Sequence, residues 1–108
     1  MYSSVTEARA ALLTCIVASV FSALMLAAVT GIVHPLVAIV ASPVPPCWLG
    51  IVAIDRRAYA VALGCAGGGI ALCVWLSTLI GVTGFHGLCN LVALYFAIRA
   101  AIVLRRLG

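Results

Sequence analysis

Cysteine is the residue type with the most chemical options in this chain of 108 residues, where five occur. Their number is odd and no CxxC pair is present, whereas a zinc site or a disulfide framework normally shows clustered, regularly spaced cysteines. Each cysteine also falls inside an apolar stretch. We therefore expect small apolar side chains packed between helices, and no metal or other cofactor, at Cys15, Cys47, Cys65, Cys73 and Cys89.

Histidines and carboxylates add little to this inventory. A metal site can be imagined from His34, His86 and Cys89, because Cys89 follows His86 by about one helical turn, but nothing in the spacing requires it. The two carboxylates, Glu7 and Asp55, flank apolar runs, whereas proton-coupled transport usually leaves an ionisable group inside a span. No catalytic triad or nucleophile elbow can be argued. We expect no catalytic, cofactor-binding or metal-binding residues, and no enzyme activity.

A proline cluster, residues 42–46 with the sequence Ser-Pro-Val-Pro-Pro, lies halfway along the apolar run 35–54. Proline lacks an N–H and clashes with the preceding helical turn, so the carbonyls of Ile39, Ala41 and Ser42 would lose their helical donors. Such carbonyls must face protein or water when they lie in hydrocarbon. Three interpretations stay open: a kinked helix whose carbonyls meet Ser, Thr or Asn side chains, a re-entrant segment, or an ion or substrate site of the transporter type.

The elements that carry these residues are long apolar runs. Hydrophobic residues make up 67% of the chain and charged residues 7%, and the mean hydropathy is +1.36. A chain of this length has too little polar surface to cover so much apolar surface in water. Since about 20 residues cross a bilayer, we predict an all-α integral membrane bundle in one domain, residues 1–108. Its four transmembrane helices, the second broken by prolines, are expected at residues 10–33, 35–54, 58–81 and 87–104. A turn at residues 81–87, which hold three glycines, is expected to separate the last two spans.

The charged residues set the expected orientation. With four spans, both termini and the loop 55–57 share one side of the membrane, and all six arginines lie on or near it. The positive-inside rule then predicts cytoplasmic termini in the cell (inner) membrane, whereas three spans would separate Arg9 from Arg105. A cleaved signal peptide is a weaker alternative for the first span, because its apolar stretch is long. Asp55 is expected to pair with Arg56, Arg57 or Arg99.

Small residues recur at every fourth position on three of the predicted spans. Helices in lipid associate through close contact of small residues, so these stripes predict packing faces. The run of Gly67, Gly68 and Gly69 costs about 1 kcal/mol per glycine relative to alanine in a helix. We expect tight packing there, either within the chain's own bundle or against a partner or second copy, and expect Gly68→Leu to disrupt it. Asn90 is expected to donate a hydrogen bond between helices.

These features together favour a structural or accessory role. The leading expectation is a small multi-pass subunit of a larger membrane assembly, since small-residue faces occur without embedded ionisable groups. A homo-oligomeric transporter or pore-forming protomer is the alternative, because of the proline break, and a holin-like or pilin-like protein is a weaker one. The expected partners are the lipid bilayer and a membrane protein or a second copy. Six arginines scattered at the ends of apolar runs make no nucleic-acid surface.

Overall fold

A computed structural model describes residues 4–31, 34–80 and 84–107, and the described chain is α-helical. It forms five helices: α1 Ser4–Thr30, α2 Pro35–Ala41, α3 Val44–Asp55, α4 Tyr59–Ile80 and α5 Gly84–Leu107. Helices α1, α4 and α5 are each long and apolar enough to cross a membrane. Helices α2 and α3 meet at a bend of 53° and together could form a fourth crossing. The all-α prediction is confirmed, with three to four candidate spans.

Helix α1 begins earlier than its predicted span, and the predicted glycine-rich loop is shorter than expected. The first predicted span starts at residue 10, after Arg9, yet α1 starts at Ser4. A charge ends an apolar run but does not end a helix. Likewise α5 already begins at Gly84, inside the predicted turn 81–87. Residues 81–83 of that turn lie outside the described residues.

Most prolines of the second apolar run lie in the first turn of a helix and do not kink a continuous one. Pro35 occupies the first turn of α2, and His34 caps it, because His34 Nδ1 accepts a hydrogen bond from the Leu36 N–H at 3.1 Å. Pro45 and Pro46 likewise fall in the first turn of α3, where a missing N–H removes no helical hydrogen bond. The run therefore folds as two short helices joined at residues 42–43.

The turn between α3 and α4 is a Schellman motif with an arginine in its left-handed position. Arg57 has φ of 60°. Its N–H donates to the Ile54 carbonyl at 3.0 Å, and the Ala58 N–H donates to the Ala53 carbonyl at 2.8 Å. These two bonds satisfy carbonyls that the end of α3 would otherwise leave unpaired. The chain can thus reverse direction within a few residues.

Four helices form a ring, in which α1 and α4 each pack against both α3 and α5, while α2 lies against α1 and α3. Two exposed ion pairs mark one end of this ring. Arg9 Nη1 lies 3.2 Å from Asp55 Oδ1, and Arg99 Nη2 lies 3.3 Å from Glu7 Oε1. The start of α1 therefore meets the ends of α3 and α5, so α1 is antiparallel to both. Exposed pairs of this kind stabilise little but fix orientation.

The predicted partner of Asp55 was wrong. Asp55 pairs with Arg9 of α1, whereas Arg99 pairs with Glu7. The antiparallel arrangement brings α1 alongside the last turn of α3, and a sequence pattern does not reveal that neighbour. Because Arg56 and Arg57 follow Asp55 directly and Arg105 and Arg106 follow Arg99 on α5, all six arginines of the chain lie toward one end of the bundle. We call this the arginine end.

Small side chains fill the core and large ones cover the surface. The small-residue stripe predicted on the first span is buried at Ala11, Cys15, Ser19, Ala23 and Ala27, whereas its last member, Gly31, is exposed. Large apolar side chains are more than half exposed at Phe21, Trp48, Trp75, Leu79 and Tyr95, among others. In water such a surface would be unfavourable over the whole molecule. The bundle is 44 Å long and 21 Å wide, close to the roughly 40–45 Å of a bilayer with its headgroups. These features are compatible with a membrane protein.

Only one of the three consecutive glycines of α4 is tightly packed. A Cβ added at Gly69 would lie 3.2 Å from Cys47 Sγ, closer than ordinary contact. A Cβ at Gly68 would meet Pro46 at an ordinary 3.7 Å, and one at Gly67 would meet nothing within 4 Å. The expectation of tight packing in this run therefore holds at Gly69, where α3 and α4 touch.

Replacing Gly69 by leucine is expected to destabilise the bundle by about 1–3 kcal/mol, since the added side chain must displace Cys47 and α3. Ala28→Leu, which enlarges an exposed alanine on α1, is the matched control and should leave the stability unchanged. Unfolding in detergent followed by circular dichroism measures both variants. Equal stability of the two would show that the α3–α4 contact does not depend on the glycine.

Candidate functional site

The candidate site is a cluster of buried polar side chains at the joint between α2 and α3. Within the described residues, four polar side chains are buried: Ser19, Ser22, Ser42 and Asn90. They come from α1, from the joint itself and from α5. Buried polar groups are costly unless they are hydrogen-bonded, so their convergence at the proline joint marks a candidate binding site. We call these four residues the polar cluster.

Asn90 links α5 to α4 at the edge of the polar cluster. Its Nδ2 donates to the Cys73 carbonyl at 3.0 Å and to Ser77 Oγ at 2.7 Å. Ser77 Oγ in turn donates to the same Cys73 carbonyl at 2.9 Å. The prediction that Asn90 is an interhelical hydrogen-bond donor is confirmed. Both of its amide hydrogens are used, which leaves its carbonyl oxygen Oδ1 to accept a further bond.

Ser42 repairs part of the backbone that the prolines disrupt. Its Oγ and its N–H both donate to the Ile39 carbonyl. The regular helical donor to this carbonyl would be the N–H of residue 43, which proline lacks. The same Oγ accepts a bond from the Val44 N–H at 3.3 Å. A serine hydroxyl thus replaces the missing helical donor, as expected for a break inside an apolar layer. Of the three carbonyls expected to lose a donor, the structure thus shows that of Ile39 met by a side chain, and the bent pair remains either a broken span or a re-entrant segment.

A small cavity opens beside the polar cluster. It is lined by the four polar residues together with Ala23, Leu26, Ala38, Pro43 and Leu76. It leaves about 20 Å³ in which the centre of a water molecule fits. Ser19 Oγ, which lines this cavity, is buried without a hydrogen-bond partner among the described residues. The sequence predicted Ser19 as part of a packing stripe. The polar hydroxyl was the one sequence signal that it could also line a polar cavity.

The cysteines pack as small side chains in the core. Cys15 Sγ of α1 and Cys47 Sγ of α3 lie 3.4 Å apart, both fully buried. Cys73 of α4 is also fully buried in the same core cluster, and Cys65 and Cys89 are half-buried. All five are free thiols. Three helices therefore approach one another through cysteine side chains, in agreement with the packing role predicted for them.

The metal set imagined from the sequence is not assembled by the described residues. His34 uses its Nδ1 to cap α2, and the side chain of His86 lies outside the described residues. No group of three or more His, Cys, Asp or Glu in residues 4–31, 34–80 and 84–107 could hold a metal ion. The polar cluster itself contains only hydroxyls and one amide. What it can do is bind through hydrogen bonds.

Asn90→Ala is expected to weaken the α4–α5 contact by about 1 kcal/mol, because interhelical hydrogen bonds in membranes contribute about 0.6–2 kcal/mol. Ser77→Ala and the double variant complete a double-mutant cycle. Unfolding in mixed micelles gives the three free energies. We expect the double variant to lose less than the sum of the single losses, because one bond joins the two side chains. Strict additivity would contradict the contact.

Comparisons with known proteins identify no family and no function for this chain. No protein-family model, no curated protein and no solved structure matches this chain.

Proposed function

We propose that this chain is a four-span membrane protein that acts as a non-catalytic structural or accessory subunit of a larger membrane assembly. One observation carries the proposal: α4 presents small residues to the outside. Ala60, Gly64, Gly67 and Ala71 follow one another at helical spacing and are all exposed. We call them the α4 outer face. A Cβ added at Gly64 or Gly67 would meet nothing within 4 Å.

The chain's own packing does not account for these two glycines. Each glycine inside a helix costs about 1 kcal/mol relative to alanine. At Gly69 the close approach of α3 explains that cost, but Gly64 and Gly67 have no neighbour. Contact with lipid alone does not require glycine, because leucine or valine at these positions would be equally favourable there. A partner helix that approaches closely is the arrangement in which small residues at such positions become favourable.

The position of α4 in the bundle supports the same proposal. In its most apolar window 22% of α4 is buried, against 39% for α1 and for α5. The long helix that is least covered therefore also carries the exposed glycines. Val61, Val74 and Trp75 are exposed on the same helix and would add apolar contacts to a partner helix.

Counting the bent α2–α3 pair as one span completes the proposed topology. Helices α2 and α3 contain 7 and 12 residues, which is about 28 Å of helix at 1.5 Å per residue. The 53° bend shortens this length, so the pair would cover most of the roughly 30 Å hydrocarbon layer. Both termini then lie at the arginine end. By the positive-inside rule that end faces the cytoplasm of a cell (inner) membrane.

Topology is tested by fusing two reporters separately to each terminus: a protein that fluoresces only in the cytoplasm, and a phosphatase that is active only outside it. Four spans with the arginines inside predict fluorescence and no phosphatase activity at both ends. A fusion after residue 31, between α1 and α2, provides the control and should show the reverse. Termini on opposite sides would contradict the four-span arrangement.

Assembly is tested by native mass spectrometry from membranes solubilised in mild detergent. The wild type is expected to appear with a partner protein or in a defined multimer. The double variant Gly64→Leu with Gly67→Leu is expected to lower the fraction of the chain found in that complex at least tenfold. The matched control is Ala28→Leu, which enlarges an exposed alanine on α1. Because neither glycine contacts its own bundle, the double variant should remain folded. A wild type that is monomeric and without companions would contradict the proposal.

A homo-oligomeric transporter or pore is the second candidate, favoured by the bent α2–α3 pair and the polar cluster beside it. The cavity inside one bundle has room for a single water, so a conducting path would have to run between copies. Flux of ions or small solutes from liposomes containing the wild type, lost on Gly64→Leu with Gly67→Leu, would favour this candidate. Absence of flux under every gradient would leave the accessory role.

A further inference from the structure

We propose that the polar cluster is a binding site for one buried water molecule, held between Ser19 of α1 and Asn90 of α5 next to the proline joint. This site is separate from the α4 outer face, which lies on another helix and points outward. It does not depend on the proposed function.

Ser19 supplies the first observation. Its side chain is 1% exposed, and its Oγ has no hydrogen-bond partner among the described residues. A buried hydroxyl without a partner is unfavourable, and each such group in a native protein calls for an explanation. Since the hydroxyl lines a cavity, a guest in that cavity is the direct way to satisfy it.

The size of the cavity supplies the second observation. A water molecule needs about 10–15 Å³ of room for its centre and two to four polar partners. The cavity offers about 20 Å³ and is bordered by the polar cluster. Room for a second molecule or for an organic ligand is lacking. A cation would have to shed its water shell in a site that contains no carboxylate, so a neutral guest is favoured.

The hydrogen-bond inventory supplies the third observation. Asn90 has committed both amide hydrogens to Cys73 and Ser77, so the oxygen it can offer to a guest is an acceptor. Ser19 can donate or accept. A water that donates to Asn90 Oδ1 and accepts from Ser19 Oγ satisfies the Ser19 hydroxyl and bridges α1 to α5. It would lie where α2 ends, beside the proline joint.

The midpoint of thermal unfolding of Ser19→Ala, compared with the wild type, shows whether the cavity holds a water. If a water is bound, the variant removes one of its partners, and the midpoint of thermal unfolding falls by several degrees. If the cavity is dry, the variant removes an unpaired hydroxyl, and the midpoint stays or rises. Thr14→Val is the control, because it removes an exposed α1 hydroxyl that bonds only within its helix. Its midpoint should not change.

Magnetisation transfer from water in solid-state NMR of the protein in lipid bilayers gives an independent readout. We expect transfer to the Asn90 side-chain amide in the wild type and its loss in Ser19→Ala. Absence of transfer in the wild type, or an unfolding midpoint that rises in Ser19→Ala, would overturn the proposal. A midpoint that depends on sodium but not on choline in the wild type, and on neither in Ser19→Ala, would overturn it too, in favour of a cation.

Discussion

Close approach of helices through small side chains is the constraint on which the rest of this structure depends. The core is built mainly from alanine and cysteine, and the largest fully buried side chains are Leu12 and Leu104. In lipid, contact and hydrogen bonding hold helices together, because burial of apolar side chains gains little there. Small side chains bring the backbones near one another and leave the large apolar ones to cover the outside. This explains why many large apolar side chains lie on the surface.

Close approach also determines how the bundle tolerates its irregular point. The prolines of residues 43–46 could have left unpaired carbonyls in an apolar layer. Instead α2 and α3 are separate helices, and Ser42 donates to the Ile39 carbonyl at the joint. Because α1 and α5 approach closely, Ser19 and Asn90 reach the same place. The polar cluster is thus a consequence of small-residue packing around a broken helix.

Helix α4 shows that residues of one type can serve two different surfaces. Gly69 faces α3, where a Cβ would press on Cys47, whereas Gly64 and Gly67 face away from the bundle. Rotation along the helix separates them, since positions 64 and 67 share a face that position 69 does not. The inner glycine stabilises the fold of one chain. The outer glycines are the basis of the proposed assembly.

Local patterns in the sequence determined the apolar helices, most of the buried stripe of α1 and the donor role of Asn90. They did not determine that Asp55 pairs with Arg9, that Gly69 is the tight glycine, or that Ser19 lies beside the joint. The physical reason is that hydropathy and residue spacing act along the chain, within a few turns of one helix. Which faces meet depends on the order and rotation of helices far apart in sequence, and only their packing in three dimensions decides it.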